Sequence, residues 1–318
     1  MEHKITIIIP TFRRPALLKK AVNSVLSQTY PHFEVCVYDN ASCDETEEIM
    51  SEFTRLDSRV KYHCHLQNIG MMANYAYGFS KINTPFFSFL SDDDHLSPWF
   101  FETALEDFER FPDAAFTICK VLAVNQNEEI VLDSLCLWDK KGYFEVPNGF
   151  LELMTPSLKT PLPTCTLFNR KIIKNFSPDW NDEIQHLWDH DYFLQLSSRF
   201  PYVINEKACG FFLAHDGGFS SGFFARLQQA PEQVEIYVKA FRRLIQRIMK
   251  NPYLTQPIKE KAAKLLAKSC KELVQHYAEI SIEDIFTETA STTPLRNFFN
   301  KYFQSLKNHL KQIKTEVK

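Results

Sequence analysis

The sequence predicts an α/β fold, a mainly parallel sheet flanked by helices, followed by a C-terminal helical extension. Three observations predict it. Short β-rich runs alternate with stretches whose apolar residues recur every three to four positions, the order that builds crossovers between parallel strands. The strand runs are apolar nearly throughout, as strands covered on both faces require. Charge then divides the chain: residues 1–224 hold 19 Lys and Arg against 30 Asp and Glu, net −11, whereas residues 225–318 hold 17 against 9, net +8. The alternation lies in the acidic part and the basic part is helical in pattern, so a domain of residues 1–224 is expected before an extension of residues 225–318.

Lys4-Ile5-Thr6-Ile7-Ile8-Ile9 reads as the first buried strand, and Pro10, which has no N–H for a ladder, ends it. Pro15 suits a first helical turn, and Leu17, Leu18, Ala21, Val22, Val25 and Leu26 give the following helix one apolar face. Residues 33–38 form the second strand and lead into Asp39-Asn40-Ala41-Ser42, where Ser42 and Glu45 have capping-box spacing for a helix through Met50 and Phe53. Residues 60–63 read as a strand, 71–80 as a helix and 86–90 as a buried strand that breaks into Ser91-Asp92-Asp93-Asp94. Ser97-Pro98 caps a helix through Leu105 and Phe108, and Ala115 begins another strand. From about Arg226 onward Val234, Val238, Phe241, Ile245 and Ile248 make an apolar stripe opposite Lys239, Arg242, Arg243, Arg247 and Lys250. Residues 298–317 mix Phe and Leu with Lys in the same way.

With 45% hydrophobic and 24% charged residues, the composition is globular and excludes fibrous and disulfide-scaffold classes. No apolar run approaches the roughly 18 residues of a membrane span, and residues 1–4 lead into only a short apolar strand, so a cytoplasmic chain is expected. The eight cysteines, Cys36, Cys43, Cys64, Cys119, Cys136, Cys165, Cys209 and Cys270, show no paired spacing and are expected to be reduced, mostly buried thiols. His63-Cys64-His65 puts two imidazoles on one strand face but lacks a second ligand pair for zinc.

In an open sheet of this kind ligands bind at the carboxyl ends of the strands, where Pro10-Thr11-Phe12, Asp39 and Asp92-Asp93-Asp94 all fall. Neither a dinucleotide fingerprint nor a P-loop is present, so a phosphate bound here needs a cation held by carboxylates. Three consecutive carboxylates suit Mg²⁺ or Mn²⁺, which bind through one or two of them and the phosphates of a substrate.

The motifs Ile7-Ile8-Ile9-Pro10-Thr11-Phe12-Arg13-Arg14, Val37-Tyr38-Asp39-Asn40-Ala41-Ser42-Cys43-Asp44, Asn68-Ile69-Gly70-Met71-Met72-Ala73-Asn74 and Phe89-Leu90-Ser91-Asp92-Asp93-Asp94 resemble, in order and spacing, the inverting family-two glycosyltransferases of GT-A fold. The resemblance covers roughly residues 4–220. It implies that Pro10, Thr11 and Phe12 pack on the nucleotide base, that Asp39 accepts the uracil N3–H and that Asn68 and Asn74 line the nucleotide. It further places Asp92 near the ribose and Asp93 on the metal, Mn²⁺ or Mg²⁺, that bridges the diphosphate. Ser91 stands where a first aspartate is common.

Residues 187–196, Leu187-Trp188-Asp189-His190-Asp191-Tyr192-Phe193-Leu194-Gln195-Leu196, resemble the segment that carries the family's general base. Asp189 is the base in that alignment and Asp191 a supporting acid; on a helix the two point roughly 200° apart, so only one faces the substrate. His215 matches a histidine that completes the metal shell or contacts the diphosphate, although Leu213 replaces the usual arginine two residues earlier. The implied reaction is a single in-line displacement at the anomeric carbon, from a nucleotide-sugar donor to a glycan or lipid-linked acceptor. Nucleic acid is not an expected partner. Two alternatives remain, a non-catalytic nucleotide-sugar-binding module and a sugar nucleotidyltransferase, the latter disfavoured by the absence of glycine from the loop after the first strand. Acceptor walls are expected from residues 120–186, among them Trp138, Tyr143, Phe144, Phe150, Trp180 and His186, and the basic helices are expected to contact a membrane surface peripherally or to pack, on their own domain or as a homo-oligomer.

Overall fold

In the computed structural model, residues 4–132, 140–154, 162–174, 176–180, 187–215 and 232–277 are described. The first half of the chain alternates as its periodicity requires: β1 (Ile5–Thr11), α1 (Pro15–Leu26), β2 (Phe33–Asp39), α2 (Thr46–Leu56), β3 (Val60–Cys64), α3 (Met71–Ser80) and β4 (Phe86–Phe89). Next come β5 (His95–Leu96), α4 (Phe100–Arg110), β6 (Phe116–Val124), β7 (Ile130–Leu132), β8 (Gly142–Phe144) and α5 (Asn148–Glu152). The series ends with β9 (Thr166–Asn169), α6 (Arg170–Ile173), α7 (Trp188–Ser197), β10 (Tyr202–Leu213), α8 (Glu232–Lys250) and α9 (Gln256–Tyr277).

β1 is buried at every position and the sheet grows outward from it, in the order β3-β2-β1-β4-β9-β6-β10-β5, with β7 on β6 and β8 on β10. β1, β2, β3 and β4 pair in parallel, and so do β6 and β10. β9 lies between the two groups, antiparallel to both β4 and β6, so β1, β2, β3, β4, β6 and β10 run the same way and their carboxyl ends share one edge. The mainly parallel sheet expected from the alternation is present. The antiparallel minority, β5, β7, β8 and β9, is made of strands of two to four residues, too short to carry a periodic signal.

One sheet face is aliphatic: Ile5, Ile7, Ile9, Leu18, Val22, Val25, Val35 and Val37 join Phe100, Phe101 and Ala104 of α4 in one buried cluster. Elsewhere the core is aromatic, with Phe87 stacked on Phe168 at 5.0 Å, Phe116 on Tyr202 at 4.9 Å and Phe168 on Phe193 at 5.7 Å. Each such side chain contributes about 1.5–3 kcal/mol by leaving water. α3 packs on β1 and β2 so closely that a Cβ at Gly78 would lie 2.8 Å from Ile8 Cγ2 and from the Tyr38 ring. Gly78→Ala is therefore expected to cost about 1–3 kcal/mol by overpacking, read as a lowered denaturation midpoint with the slope unchanged.

Two helix starts differ from expectation. The Ser42–Glu45 capping box does not form: α2 begins at Thr46, whose N–H donates to Asp44 Oδ1 at 3.0 Å, while the Ser42 hydroxyl serves Asp39 instead. Likewise α4 begins at Phe100, and the Ser97 hydroxyl donates to the Ala208 carbonyl at 3.4 Å rather than capping the helix. At Ser97 a tertiary partner outcompetes the local one, whereas at Ser42 the winning partner, Asp39, is itself three residues away.

Contact clustering separates two compact units, one of Met1–Leu153, Lys159–Asp182 and Trp188–Gly218, the other of Met154–Leu158, Glu183–Leu187 and Phe219–Lys318. In the second, α8 and α9 pack on each other, and Phe241, Ile245, Ile248, Ala263, Leu266 and Ala267 are buried. The described part of the α8 stripe is thus interior. The side chains of Val234 and Val238, and all of residues 298–317, lie outside the described residues. Among the described residues no helix is long and apolar enough to cross a membrane.

Candidate active site

Because these six strands share a direction, Thr11 at the end of β1, Asp39 at the end of β2, Ser91 to Asp94 after β4 and His215 after β10 come to one edge of the sheet. Asp39 is 1% exposed and well satisfied. Its Oδ1 accepts from the Ser42 N–H at 3.0 Å and the Ser42 hydroxyl at 2.5 Å, and its Oδ2 accepts from Tyr62 at 2.8 Å. A carboxylate has about four acceptor sites, three of which these donors take, and the weakly donating Cys64 thiol is its other neighbour.

The three aspartates are divided by their partners. Asp94 is internal: Thr164 donates to Oδ2 at 2.7 Å and the Leu213 N–H to Oδ1 at 3.2 Å, and burial raises its carboxyl well above the ordinary range. Asp92 accepts from Thr11 at 2.8 Å and from Arg14 Nη1 at 3.0 Å. Burial pushes it up to about 6 against the opposing pull of Arg14. Asp93 faces outward from this pair. Its Oδ2 lies 2.8 Å from Arg14 Nη1 and 3.2 Å from His215 Nε2, and its Oδ1 accepts from Ser91 at 2.5 Å. Arg14 resists the cost of its own burial because the two carboxylates hold it charged.

Asp189 reaches the same region through Tyr75. The Tyr75 phenol is pushed up first by burial and then by the charges of Asp92, Asp93, Asp189 and Asp94. Asp189 sits in the first turn of α7, accepts from the His190 N–H at 2.8 Å and is raised to about 6 by burial. The ring of Tyr75 lies 5.0 Å from Trp188 and 6.5 Å from Trp180, so an aromatic wall stands beside the carboxylates.

The remaining expected residues are placed as follows. Phe12 is 37% exposed with the Arg13 guanidinium 5.0 Å from its ring centroid, whereas Pro10 is buried in β1 opposite Tyr38. Asn68 accepts from Asn40 Nδ2 at 3.0 Å and from the Gly70 N–H at 2.9 Å on an open loop. Asn74 is 2% exposed, and its amide holds the Tyr38 carbonyl at 2.9 Å and His65 at 3.0 Å. Asp191 is buried within α7 while Asp189 keeps part of its surface. Of the expected acceptor aromatics among the described residues, Trp180 is near the site. Tyr143 and Phe144 belong to β8, which pairs with the first residues of β10, far along the strand from His215. Phe150 is fully buried, and Trp138 and His186 lie outside the described residues. Arg14 stood in the first quoted motif without a role and Tyr62 and Tyr75 were not singled out; Tyr62 and Arg14 earn their places by partners 23 and 79 residues away.

A divalent cation fits this donor set. Asp93 and His215 point at one another, and three clustered carboxylates against one guanidinium leave net negative charge. Oxygen donors favour Mn²⁺ or Mg²⁺, and one imidazole is compatible with Mn²⁺.

The family described as glycosyl transferase family 2 matches residues 6–177. The GalNAc(5)-diNAcBac-PP-undecaprenol beta-1,3-glucosyltransferase of Campylobacter jejuni is 36% identical over 95 residues, 29% of this chain and 30% of that protein. The chain spans less than half the length of the first curated relatives it matches. Among solved structures, S. aureus TarS 1-349 in complex with UDP-GlcNAc superposes with a TM-score of 0.65 at 15% identity, covering 92% of this chain and 78% of that one. The mannosyltransferase PcManGT from Pyrobaculum calidifontis, in complex with GDP-Man and Mn²⁺, gives 0.53 at 12% identity, covering 96% and 86%. At these identities the likeness establishes the shared GT-A fold.

Proposed function

Since the chain belongs to glycosyl transferase family 2, we propose that it moves a sugar from a UDP-sugar to an acceptor hydroxyl with inversion, in the assembly of a glycan or polysaccharide. Residues 1–224 are then the catalytic domain and residues 225–318 a helical extension. The observation that carries the reading is the cluster of Arg14, Asp92, Asp93 and His215 at the carboxyl edge of the sheet, with Asp189, a carboxylate raised to about 6, opening α7 next to the Trp188 that meets the Tyr75 ring.

In this reading Phe12 covers the uracil, Asp39 accepts the N3–H, and Asn68 closes the nucleotide side. Pro10 and Asn74 hold the loop and strand that present those groups, and Thr11 and Arg14 fix Asp92 toward the ribose. Asp93 and His215 would hold Mn²⁺ or Mg²⁺, which offsets the charge of the diphosphate. Asp189 takes the proton from the acceptor hydroxyl as its oxygen bonds to the anomeric carbon. The bond from that carbon to the diphosphate oxygen breaks on the opposite face and the nucleoside diphosphate leaves, so configuration inverts. Asp191, buried behind, supports the helix. The acceptor, glycan or lipid-linked, stacks on Trp180 and Trp188.

The reading is tested by incubating the chain with UDP-sugars and Mn²⁺ and measuring UDP release with pH. An Asp189 pKa of about 6 means that below pH 6 the base is protonated and silent. Turnover is therefore expected to climb about tenfold per pH unit up to pH 6 and to level off above it. No release with any UDP-sugar overturns the reading. Asp39→Asn is expected to weaken UDP by about 1.5–3 kcal/mol, the value of a hydrogen bond to a charged group, measured by calorimetry on protein whose circular dichroism is unchanged.

A further inference from the structure

Three cysteines remote in sequence meet on the aliphatic side of the sheet. Cys119 lies in β6, Cys165 immediately before β9 and Cys209 in β10, and β6 is the strand flanked by the other two. Their sulfur atoms all lie within 4.8 Å of one another, and all three residues are 0% exposed.

The backbone is bent to allow this. Cys165 has φ of +69°, a left-handed conformation uncommon for a residue with a side chain. The β6–β10 register shifts between Ala208 and Gly210, and a bulge of this kind re-aims the side chain within it, here Cys209. A Cβ at Gly210 would lie 2.8 Å from Cys165 Cβ and 3.0 Å from its sulfur, so glycine leaves the space the thiol occupies.

A fourth polar group is directed there. The Thr103 hydroxyl on α4 is buried, with no oxygen or nitrogen partner, and residue 103 is 3% exposed. The Thr103 hydroxyl and the Cys119 and Cys165 thiols are all side-chain neighbours of the Cys209 sulfur. Among the described residues no oxygen or nitrogen competes for this hydroxyl, which leaves it placed to support a ligand held by the sulfurs.

We propose that Cys119, Cys165 and Cys209 form a buried three-sulfur site for a thiophilic metal ion, Zn²⁺ or Cu⁺, with Thr103 as its supporting polar neighbour. Around an ion with metal–sulfur bonds of about 2.3 Å, three sulfurs stand about 4 Å apart, within reach of the present cluster by small side-chain rotations. Each ligating thiol loses its proton to solvent as the ion binds, and the cation offsets part of the thiolate charge, leaving one negative charge with Zn²⁺ and two with Cu⁺. The carboxylate site prefers hard cations and this site soft ones, so the two do not compete. Complete burial makes folding the moment of loading.

The test uses the full-length chain with Cys43, Cys64 and Cys136 replaced by serine, unfolded under reducing conditions and refolded with either Zn²⁺ or Cu⁺, or with chelator alone. Native mass spectrometry after desalting is expected to show one retained ion, and Cd²⁺ in its place is expected to give sulfur-to-metal charge-transfer absorption. Asp93→Ala is expected to keep the ion. Cys209→Ala is expected to lose it, as is Cys165→Ala should the first variant not fold. Thr103→Val, close to isosteric and suited to the core, is expected to weaken retention about 10- to 100-fold, as loss of a supporting partner does. Refolded parent chain without a bound ion of either kind overturns the proposal, as does charge transfer that survives in the cysteine variants.

Discussion

Asp189→Asn is expected to lower turnover by about 10²- to 10⁴-fold, the usual contribution of a general base, while leaving nucleotide affinity intact. The amide is nearly the same shape and keeps an oxygen to accept the His190 N–H that Asp189 holds at 2.8 Å. It cannot take a proton. The acid limb of the pH profile is expected to vanish in the same variant, because that limb belongs to the carboxyl that burial raises to about 6. A variant of Asp189 with normal turnover, combined with a silent Asp191→Asn, would remove the base from α7 altogether.

The second large effect is expected at Asp93. Asp93→Ala should abolish the Mn²⁺-dependent part of UDP binding, by more than about 100-fold, while affinity in chelator stays as in the parent chain. The fold is expected to survive, since Arg14 keeps its 3.0 Å pair with Asp92 and one of three mutually repelling carboxylates is removed. Calorimetry with and without Mn²⁺ decides it: UDP affinity indifferent to the metal in the parent chain sinks the role given to Asp93 and His215.

Much of the site was legible because its motifs are local. Pro10-Thr11-Phe12, Asp39 and Ser91-Asp92-Asp93-Asp94 each follow an apolar run short enough to read as a strand, and parallel strands present such turns at one edge. The differing roles of Asp92, Asp93 and Asp94 were not legible, since Asp94 is claimed by Thr164 and Leu213, 70 and 119 residues away. Nor was the reassignment of Tyr143 and Phe144, which pairing of β8 with β10 carries away from the site, half-buried against Phe111 and Tyr202.

The sequence by itself determined the alternation of strands and helices, the buried character of β1, β2 and β4, and the turns that bear the chemistry, because periodicity and turn chemistry are set by neighbours a few residues apart. The tertiary structure set the fate of the Ser97 hydroxyl, which goes to the Ala208 carbonyl 111 residues away rather than to a helix cap. It alone brought Cys119, Cys165 and Cys209 together, 46 and 44 residues apart in sequence. Strand order, a bulge and one left-handed residue set those distances, and all three depend on long-range pairing that no local spacing encodes.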